Sequence, residues 1–213
     1  RSIILISFFT IIFLGSIISF SHIKSIENDI NKNIDLKIEY IHKTYQLFLE
    51  ELKKDIFIKT KWLLDSKNIT KSFNDKNREE LYSLIKNNFD LMVRQNPYLK
   101  IMTFRLNDGS TFLRVHKPEM YSDELEKERK IIFDTIETKK IQYGFEVGKL
   151  SMSFRIVIPI FYDNNFIGLV EIGIEPEYIM NQIEEVYNIK TALFIKEIYK
   201  EVLFEKSNLK QKG

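Results

Sequence analysis

The apolar positions in the first half of the chain follow a helical period. From residue 34 to residue 52 they are spaced alternately four and three residues apart, the heptad interval that places side chains on one stripe of a helix. This stripe contains Ile34, Ile38, Ile41, Tyr45, Phe48 and Leu52. Ile23, Ile26 and Ile30 extend it towards the N-terminus after a slip of one residue. The pattern predicts one long helix over residues 24–65, with a second copy of the chain as its simplest partner; packing within its own chain is the alternative.

A polar segment, residues 66–76, is predicted to connect this helix to another. Asn74 or Asp75 is expected to cap the second helix, which extends to about residue 93. Its apolar positions also recur at helical spacing, and they include Leu81, Leu84, Ile85 and Met92. The first half is therefore expected to be helical throughout.

Beyond Pro97 the apolar period changes to two, which is typical of half-buried strands. All four Pro and five of the seven Gly lie between residues 97 and 176, whereas residues 16–96 contain neither. A charged amphipathic helix over residues 122–140 separates two predicted strands from three more, and Pro176 begins a last helix. The five strands cover residues 98–106, 110–116, 142–149, 152–162 and 166–175. This order predicts an antiparallel sheet with flanking helices, an α+β fold.

The two faces of this predicted sheet differ in chemistry. One face is apolar on every strand and is expected to pack on a helix. The opposite face carries charged side chains at mid-strand positions, where a solvated sheet would more often show Thr, Lys and Ser. These residues are Arg105, Arg114, His116, Glu146, Arg155 and Glu171.

Two interpretations of this charged face remain open from the pattern. If the face is covered, its charges need partners, and the surplus of Arg over Glu suits a carboxylate or phosphate ligand. If the face is open, the charges form a ladder of cross-strand ion pairs, such as Arg114 with Glu146, worth about 0.2–1 kcal/mol each. A lone His116 is more often structural than a ligand-binding group.

Composition excludes several functional classes. The chain has 32 Lys and Arg against 30 Asp and Glu, a balance that does not fit a nucleic-acid-binding protein. The absence of Cys excludes disulfides, thiol nucleophiles and iron–sulfur clusters. The three His are far apart, and no catalytic motif of a hydrolase, zinc protease or P-loop enzyme is present. Nearby Arg would keep Glu146 and Glu171 ionised and make them poor general acids. We expect neither enzymatic activity nor a cofactor or metal.

The N-terminal segment has the composition of a membrane helix. Residues 2–23 contain no Asp, Glu, Lys or Arg. A helix of this length spans about 33 Å, enough for a hydrocarbon core of about 30 Å. A cleaved signal peptide is the alternative, but the segment is long and lacks the Ala of a cleavage site. We expect an uncleaved anchor.

Several runs in the second half resemble one family. They are F-L-R-V-H-K-P-E at 112–119, S-D-E-L at 122–125, Arg129, G-F-E-V-G at 144–148, and Pro159 with G-L-V-E at 168–171. Over about residues 77–176 the chain resembles the Cache-type extracytoplasmic sensor domains, and the double-Cache subgroup in particular. These PAS-like modules belong to bacterial chemoreceptors, sensor histidine kinases and diguanylate cyclases.

The resemblance implies a small extracellular ligand on the concave charged face of the sheet. Arg105, Arg114 and Arg155 would hold an anionic metabolite, and His116 and Asp123 would line the site. Relatives often carry His-Phe-His on the first strand, where this chain has Thr-Phe-Arg, and the additional Arg favours an anion. They also tend to have Asp-Asp-Leu where this chain has Asp-Glu-Leu at residues 123–125.

The resemblance also implies a role for the carboxylates of the site. Glu146 and Glu171 would orient the Arg side chains or bind the ammonium group of a zwitterion. The membrane-emergent helix would then relay binding across the membrane.

Four parts are expected along the chain. Residues 1–23 form the anchor, 24–76 the long helix and connector, 77–190 the Cache, PAS-like domain, and 191–213 an extension or the start of a second lobe. The chain is expected to be part of a longer homodimeric receptor of the inner (cytoplasmic) membrane, with residues after about 23 in the periplasm or outside the cell. The alternative is a membrane-tethered structural domain that binds another protein, which predicts an exposed apolar patch and no enclosed cavity.

Overall fold

A computed structural model describes residues 2–122, 129–147 and 152–194 of the chain. The chain divides into two units, Arg1–Leu47 and Phe48–Gly213. Helix α1 (Ser2–Leu64) begins in the first unit and ends in the second, and it includes nearly all of the helix that the heptad pattern predicted over residues 24–65. None of the helices in the described ranges is both long and apolar enough to cross a membrane. The anchor at residues 1–23 therefore stays a prediction.

The heptad stripe of α1 divides between two environments. In the first unit Ile34 and Ile38 are exposed. In the second unit Leu52, the last residue of the stripe, is almost completely buried, and so is Ile56 four residues beyond it. The C-terminal end of the stripe thus belongs to the core of its own chain, which was the alternative to a partner copy.

The predicted connector at residues 66–76 contains a short helix, α2 (Lys67–Asn74). Most of its residues are polar, but Ile69 and Phe73 lie four apart on one face and are buried. The connector is therefore helical in part, because two apolar residues suffice to anchor a helix of eight residues.

Three further helices occur in the described residues: α3 (Arg78–Gln95), α4 (Lys130–Thr138) and α5 (Glu177–Tyr187). Asn77 caps α3, since its side chain accepts a hydrogen bond from the N–H of Glu80 at 3.2 Å. Asn74 and Asp75 were therefore the wrong caps. Helix α4 begins at Lys130, and residues 123–128 of the predicted helix lie outside the described residues.

Five antiparallel strands form one sheet in the order β2-β1-β5-β4-β3, which confirms the predicted sheet. The strands are β1 (Leu99–Leu106), β2 (Thr111–Arg114), β3 (Gln142–Val147), β4 (Met152–Tyr162) and β5 (Asn165–Ile174). At Gly168 the backbone has a φ of +149°, and a Cβ there would lie 2.2 Å from the carbonyl oxygen of Arg105. This close approach of β5 to β1 requires glycine.

Helices cover both faces of the sheet. On the apolar face the ring of Phe73 from α2 lies 5.5 Å from the ring of Phe104 on β1. On the opposite face Ile132 of α4 packs with Val157 and Leu169. The charged face is therefore a covered face, and the open-ladder interpretation was wrong. Its example was wrong too, because Arg114 and Glu146 lie on strands at opposite edges of the sheet.

Candidate functional site

Five charged side chains form a buried charge cluster on the face of the sheet that α4 covers. Three strands contribute the first members, Arg105 from β1, Arg155 from β4 and Glu171 from β5. Glu146 comes from the edge strand β3, and Arg129 directly precedes α4. At most 9% of any of these side chains is exposed.

Glu171 lies at the centre of the cluster and accepts hydrogen bonds from all three Arg. The Nε of Arg105 donates to Oε2 at 2.9 Å. Arg129 and Arg155 both donate to Oε1, through Nη2 and Nη1 respectively. On the sheet Glu171 pairs with Thr103 and Val157, so both strand Arg residues are diagonal neighbours that reach across one row.

Glu146 fixes the start of α4. Its Oε2 accepts from the Nε of Arg129 at 2.6 Å, and its Oε1 accepts from the backbone N–H of Ile131 at 3.2 Å. A carboxylate is favourable there because the first N–H groups of a helix have no partner within the helix. Arg129 thus joins strands β3 and β5 to the segment that enters α4.

The N–H donors of Arg105 and Arg155 differ in how many of them have an acceptor. Arg105 also donates through Nη1 to the carbonyl of Gly109 at 3.1 Å and to Oγ1 of Thr111 at 2.9 Å. The buried Nε of Arg155 has no hydrogen-bond partner in the described part of the chain. It lies 3.8 Å from Oε2 of Glu146, which is too long for a hydrogen bond. One buried donor of the cluster is therefore unused.

Burial and the neighbouring opposite charges shift the pKa values of the cluster in opposite directions. Burial alone would raise the pKa of the Glu171 carboxyl, but Arg155, Arg129 and Arg105 together hold that pKa far below its ordinary value. Burial lowers the pKa of Arg155, whereas the two carboxylates outweigh burial at Arg129 and raise its pKa. Among the described residues of the cluster, three guanidinium groups and two carboxylates leave one positive charge in excess.

The structure brings together four of the seven predicted site residues: Arg105, Glu146, Arg155 and Glu171. Arg114 donates instead through Nη1 to the carbonyl of Met120 at 2.8 Å, in the loop that follows its own strand. His116 is half-buried and lies against the backbone of Met102, with Nδ1 3.2 Å from the carbonyl oxygen. Burial lowers the pKa of His116. Asp123 lies outside the described residues.

Arg129 is the member of the cluster that the strand pattern missed. It lies outside the strands, so the alternation of apolar and polar residues that identified the other members does not apply to it. Its only signal in the sequence was its place among the residues that resemble the Cache family.

A further Arg holds the loop that follows β2. Arg78 in the first turn of α3 donates through Nη1 to the carbonyl of Pro118 at 2.6 Å. Its guanidinium also lies 3.6 Å from the centre of the Tyr121 ring, a cation–π contact. Together with the bond from Arg114 to Met120, this contact fixes the loop before residue 123. No group of three His, Asp or Glu in the described ranges is arranged to hold a metal ion.

Comparison with protein families identifies the class of this fold. The family described as the double sensory domain of two-component sensor kinases matches residues 39–211. The chain therefore belongs to the double-Cache sensory-domain family, which confirms the resemblance of its motifs. Comparison with curated proteins gives no significant match.

Solved structures are similar to this chain over part of their length. The extracellular domain of the histidine kinase vpHK1S-Z8 is 16% identical with a TM-score of 0.52, and the match covers 74% of this chain and 63% of that one. A domain of a sensory box/GGDEF family protein from Vibrio parahaemolyticus is 15% identical with a TM-score of 0.49, covering 69% of this chain and 60% of that one. The chain thus spans less than two thirds of these solved chains.

A chemoreceptor sensory domain is also similar. The domain of Campylobacter jejuni Tlp3, solved with isoleucine bound, is 15% identical with a TM-score of 0.42. The match covers 66% of each chain.

Proposed function

We propose that this chain is the extracytoplasmic sensing part of a membrane-anchored bacterial receptor, and that it binds a small anionic or zwitterionic ligand at the buried charge cluster. Arg155, Arg105 and Arg129 supply the positive charge, while Glu146 and Glu171 hold these side chains in position. Membership of the double-Cache sensory family supports the sensory role. The ligand site rests on the chemistry of the cluster itself.

One observation carries the ligand site: among the described residues, the Nε–H of Arg155 is buried without an acceptor, and the cluster has one excess positive charge. An unsatisfied buried donor costs about 1–3 kcal/mol, more when it is charged. Removal of that donor and charge from water is favourable only if an anion or another acceptor completes the site. A carboxylate or similar anion does both, because it accepts the hydrogen bond and neutralises the charge.

The N-terminal helix supplies the membrane connection and the relay in this proposal. Residues 2–23 carry no acidic side chain, Lys or Arg and form the anchor. The exposed stripe that includes Ile34 and Ile38 pairs with the same stripe of a second copy, so the receptor is a homodimer. Ligand binding then favours one arrangement of sheet and helices, which changes the helix pair.

Calorimetric titration of the full chain in a mild non-ionic detergent tests the ligand site. The panel contains small carboxylates, phosphate and amino acids, and the variant is Arg155→Gln. This variant leaves two Arg and two Glu in the cluster, which is formally neutral, so the fold is expected to survive. Arg94→Gln is the matched control, because Arg94 is exposed in the last turn of α3.

We expect at least one compound to bind the wild-type chain and the Arg94→Gln control equally. Arg155→Gln is expected to lose about tenfold or more in affinity for it, equivalent to about 1.4 kcal/mol. Absence of binding across the panel, or unchanged affinity in a folded Arg155→Gln variant, would contradict the proposed site. Near-ultraviolet circular dichroism checks that the variant is folded.

A further inference from the structure

The N-terminus of helix α4 is capped by a residue from another element. The residue before its first turn is Arg129, whose side chain forms no capping hydrogen bond, and the first turn contains no acidic residue. The first N–H groups of a helix need an acceptor, which Ser, Thr, Asp or Asn usually supplies from the position that Arg129 occupies. Here the N–H of Ile131 donates to Oε1 of Glu146 at 3.2 Å. The start of α4 therefore depends on a carboxylate of strand β3.

The other oxygen of Glu146 contacts one guanidinium group and lies close to a second. Oε2 accepts from Nε of Arg129 at 2.6 Å and lies 3.8 Å from Nε of Arg155. Among the described residues, the Nε–H of Arg155 has no acceptor. A shift of Oε2 by about 0.9 Å would bring it to an ordinary hydrogen-bond distance from this donor. The unused donor therefore has a candidate acceptor within the chain.

A movement of Glu146 towards Arg155 takes place at the expense of the cap of α4. At 3.2 Å, the bond from Ile131 to Glu146 is at the long end of the range for N–H···O bonds. Arg155 is fixed, because its strand β4 is paired on both sides and its Nη1 donates to Glu171. Glu146 instead lies on β3, an edge strand of the described sheet that pairs with β4 alone. The carboxylate is therefore the part that moves when Glu146 and Arg155 approach each other.

We infer that Glu146 is a positioning residue that alternates between the start of α4 and Arg155. In the capped arrangement, described above, it accepts from the N–H of Ile131. In the second arrangement it accepts from the Nε–H of Arg155 and releases the N–H of Ile131. This alternation needs no ligand and goes beyond the proposed function. Its consequence for sensing rests on the proposed function: an anion on the Nε–H of Arg155 replaces Glu146 there and favours the capped arrangement.

Amide hydrogen exchange, measured by mass spectrometry on the full chain in a mild non-ionic detergent without ligand, tests this inference. The decisive variant is Arg155→Lys, in which a methylene takes the place of Nε while the ammonium group keeps the charge next to Glu171. Glu146 then has no competing donor and stays on Ile131. We expect exchange in the first turn of α4 to slow about fivefold, the factor that corresponds to an ordinary helix cap. A purely structural role of Arg155 predicts the opposite, because lost contacts make exchange faster.

Glu146→Gln is the complementary variant. It keeps the shape of the side chain but removes the negative charge that favours the start of a helix. We expect exchange in the first turn of α4 to become about fivefold faster. In the double variant the effect of Arg155→Lys is expected to disappear, because the carboxylate through which it acts is absent. Helix α5 contributes no residue to the cluster and serves as the internal control, and Arg94→Gln is expected to behave like the wild type.

The two single variants decide the inference. Slower exchange in Arg155→Lys and faster exchange in Glu146→Gln, both confined to α4, support it. Exchange at α4 that is unchanged or faster in Arg155→Lys, relative to α5, would overturn it. If Arg155→Lys does not fold, Glu146→Gln decides alone: unchanged exchange at α4 overturns the inference, and an increase of about fivefold confined to the first turn supports it.

A second measurement separates this inference from the proposed function. Acetate, phosphate and alanine from the calorimetric panel are added to the wild-type chain, and a compound that binds is expected to slow exchange at α4 as Arg155→Lys does. If nothing in the panel binds, the proposed function is wrong, but the variants still decide whether Glu146 alternates. If a compound binds and exchange at α4 is not slowed, the link between the ligand and α4 is wrong, and the proposed ligand site stands.

Discussion

The substitution Glu171→Gln tests the role of the cluster in stability. Glutamine has nearly the same shape, so the change removes one charge without creating a cavity. Glu171 accepts from three guanidinium groups, with the Nε of Arg105 at 2.9 Å, and it is almost completely buried. Its loss leaves Glu146 alone against three Arg. Breaking a buried ion pair by removal of one partner costs about 3–5 kcal/mol. With a urea dependence of about 2 kcal/mol per molar, the midpoint of unfolding falls by about 1.5–2.5 M.

Urea unfolding of the full chain in detergent, followed by tyrosine fluorescence, measures this shift. Glu175→Gln is the control, because Glu175 follows the same strand and its ion pair with Lys100, at 3.9 Å, is largely exposed to solvent. The control is expected to lose less than about 1 kcal/mol. If Glu171→Gln lost no more free energy of unfolding than Glu175→Gln, the cluster would not be the buried ion network described above.

Comparison of the wild type with Glu171→Gln also tests how the free energy of unfolding depends on pH. The pKa of Glu171 is lower in the folded chain than its ordinary value of 4.5. Its contribution is therefore fully present above pH 4.5 and is lost as the pH falls below this value towards the folded pKa. Over that range the wild type loses about 1.4 kcal/mol per pH unit more than Glu171→Gln. A constant difference between the two from pH 5 to pH 3 would contradict this reasoning.

Three further predictions concern the fold: a glycine contact, a buried ring and the pKa of one carboxyl. Gly168→Ala places a Cβ 2.2 Å from a backbone carbonyl oxygen of β1, and we expect the variant to fail to fold or to lose more than about 3 kcal/mol in urea unfolding. Phe73→Ala removes a buried ring and is expected to cost about 3–5 kcal/mol, whereas Phe194→Ala changes an exposed ring and is expected to cost less than about 0.5 kcal/mol. Hydrogen bonds from Thr191 lower the pKa of Glu184 to about 2, so NMR titration of Glu184 should give a midpoint near this value, and Thr191→Val should raise it.

The sheet was predictable because its signals are local. Alternation of apolar side chains and the turn residues fixed five strands and assigned each side chain to a face, and the structure agrees for both faces. The order of the strands in the sheet does not follow from these local signals, because it depends on which strands pair and not on the pattern within one strand. Arg114 and Glu146 share a face in the pattern, but three strands separate β2 from β3. Their predicted pairing failed for this reason.

The candidate site was predicted only in its strand residues. Parity selected Arg105, Arg155 and Glu171 correctly as neighbours on one face. Arg129 was missed because it reaches the cluster from a segment with no repeating pattern. Arg114 lies outside the cluster, and its Nη1 donates to the carbonyl of Met120. Long Arg side chains choose among several acceptors, and sequence spacing does not decide between them.

The arrangement of the cluster indicates which part of the domain would respond to a ligand. Glu171 is shared by Arg105 and Arg155, whose backbones belong to strands paired on both sides, and by Arg129, which lies outside the sheet. The strands are held by their ladders of backbone hydrogen bonds, whereas Arg129 is held to Glu146 and Glu171 by its side chain. An anion on the Nε–H of Arg155 shares this guanidinium with Glu171 and changes the charge that Arg129 experiences. A ligand shifts an equilibrium only by its difference in affinity for two states. The two states that this site can distinguish are therefore expected to differ in the position of Arg129 and α4, with the sheet unchanged.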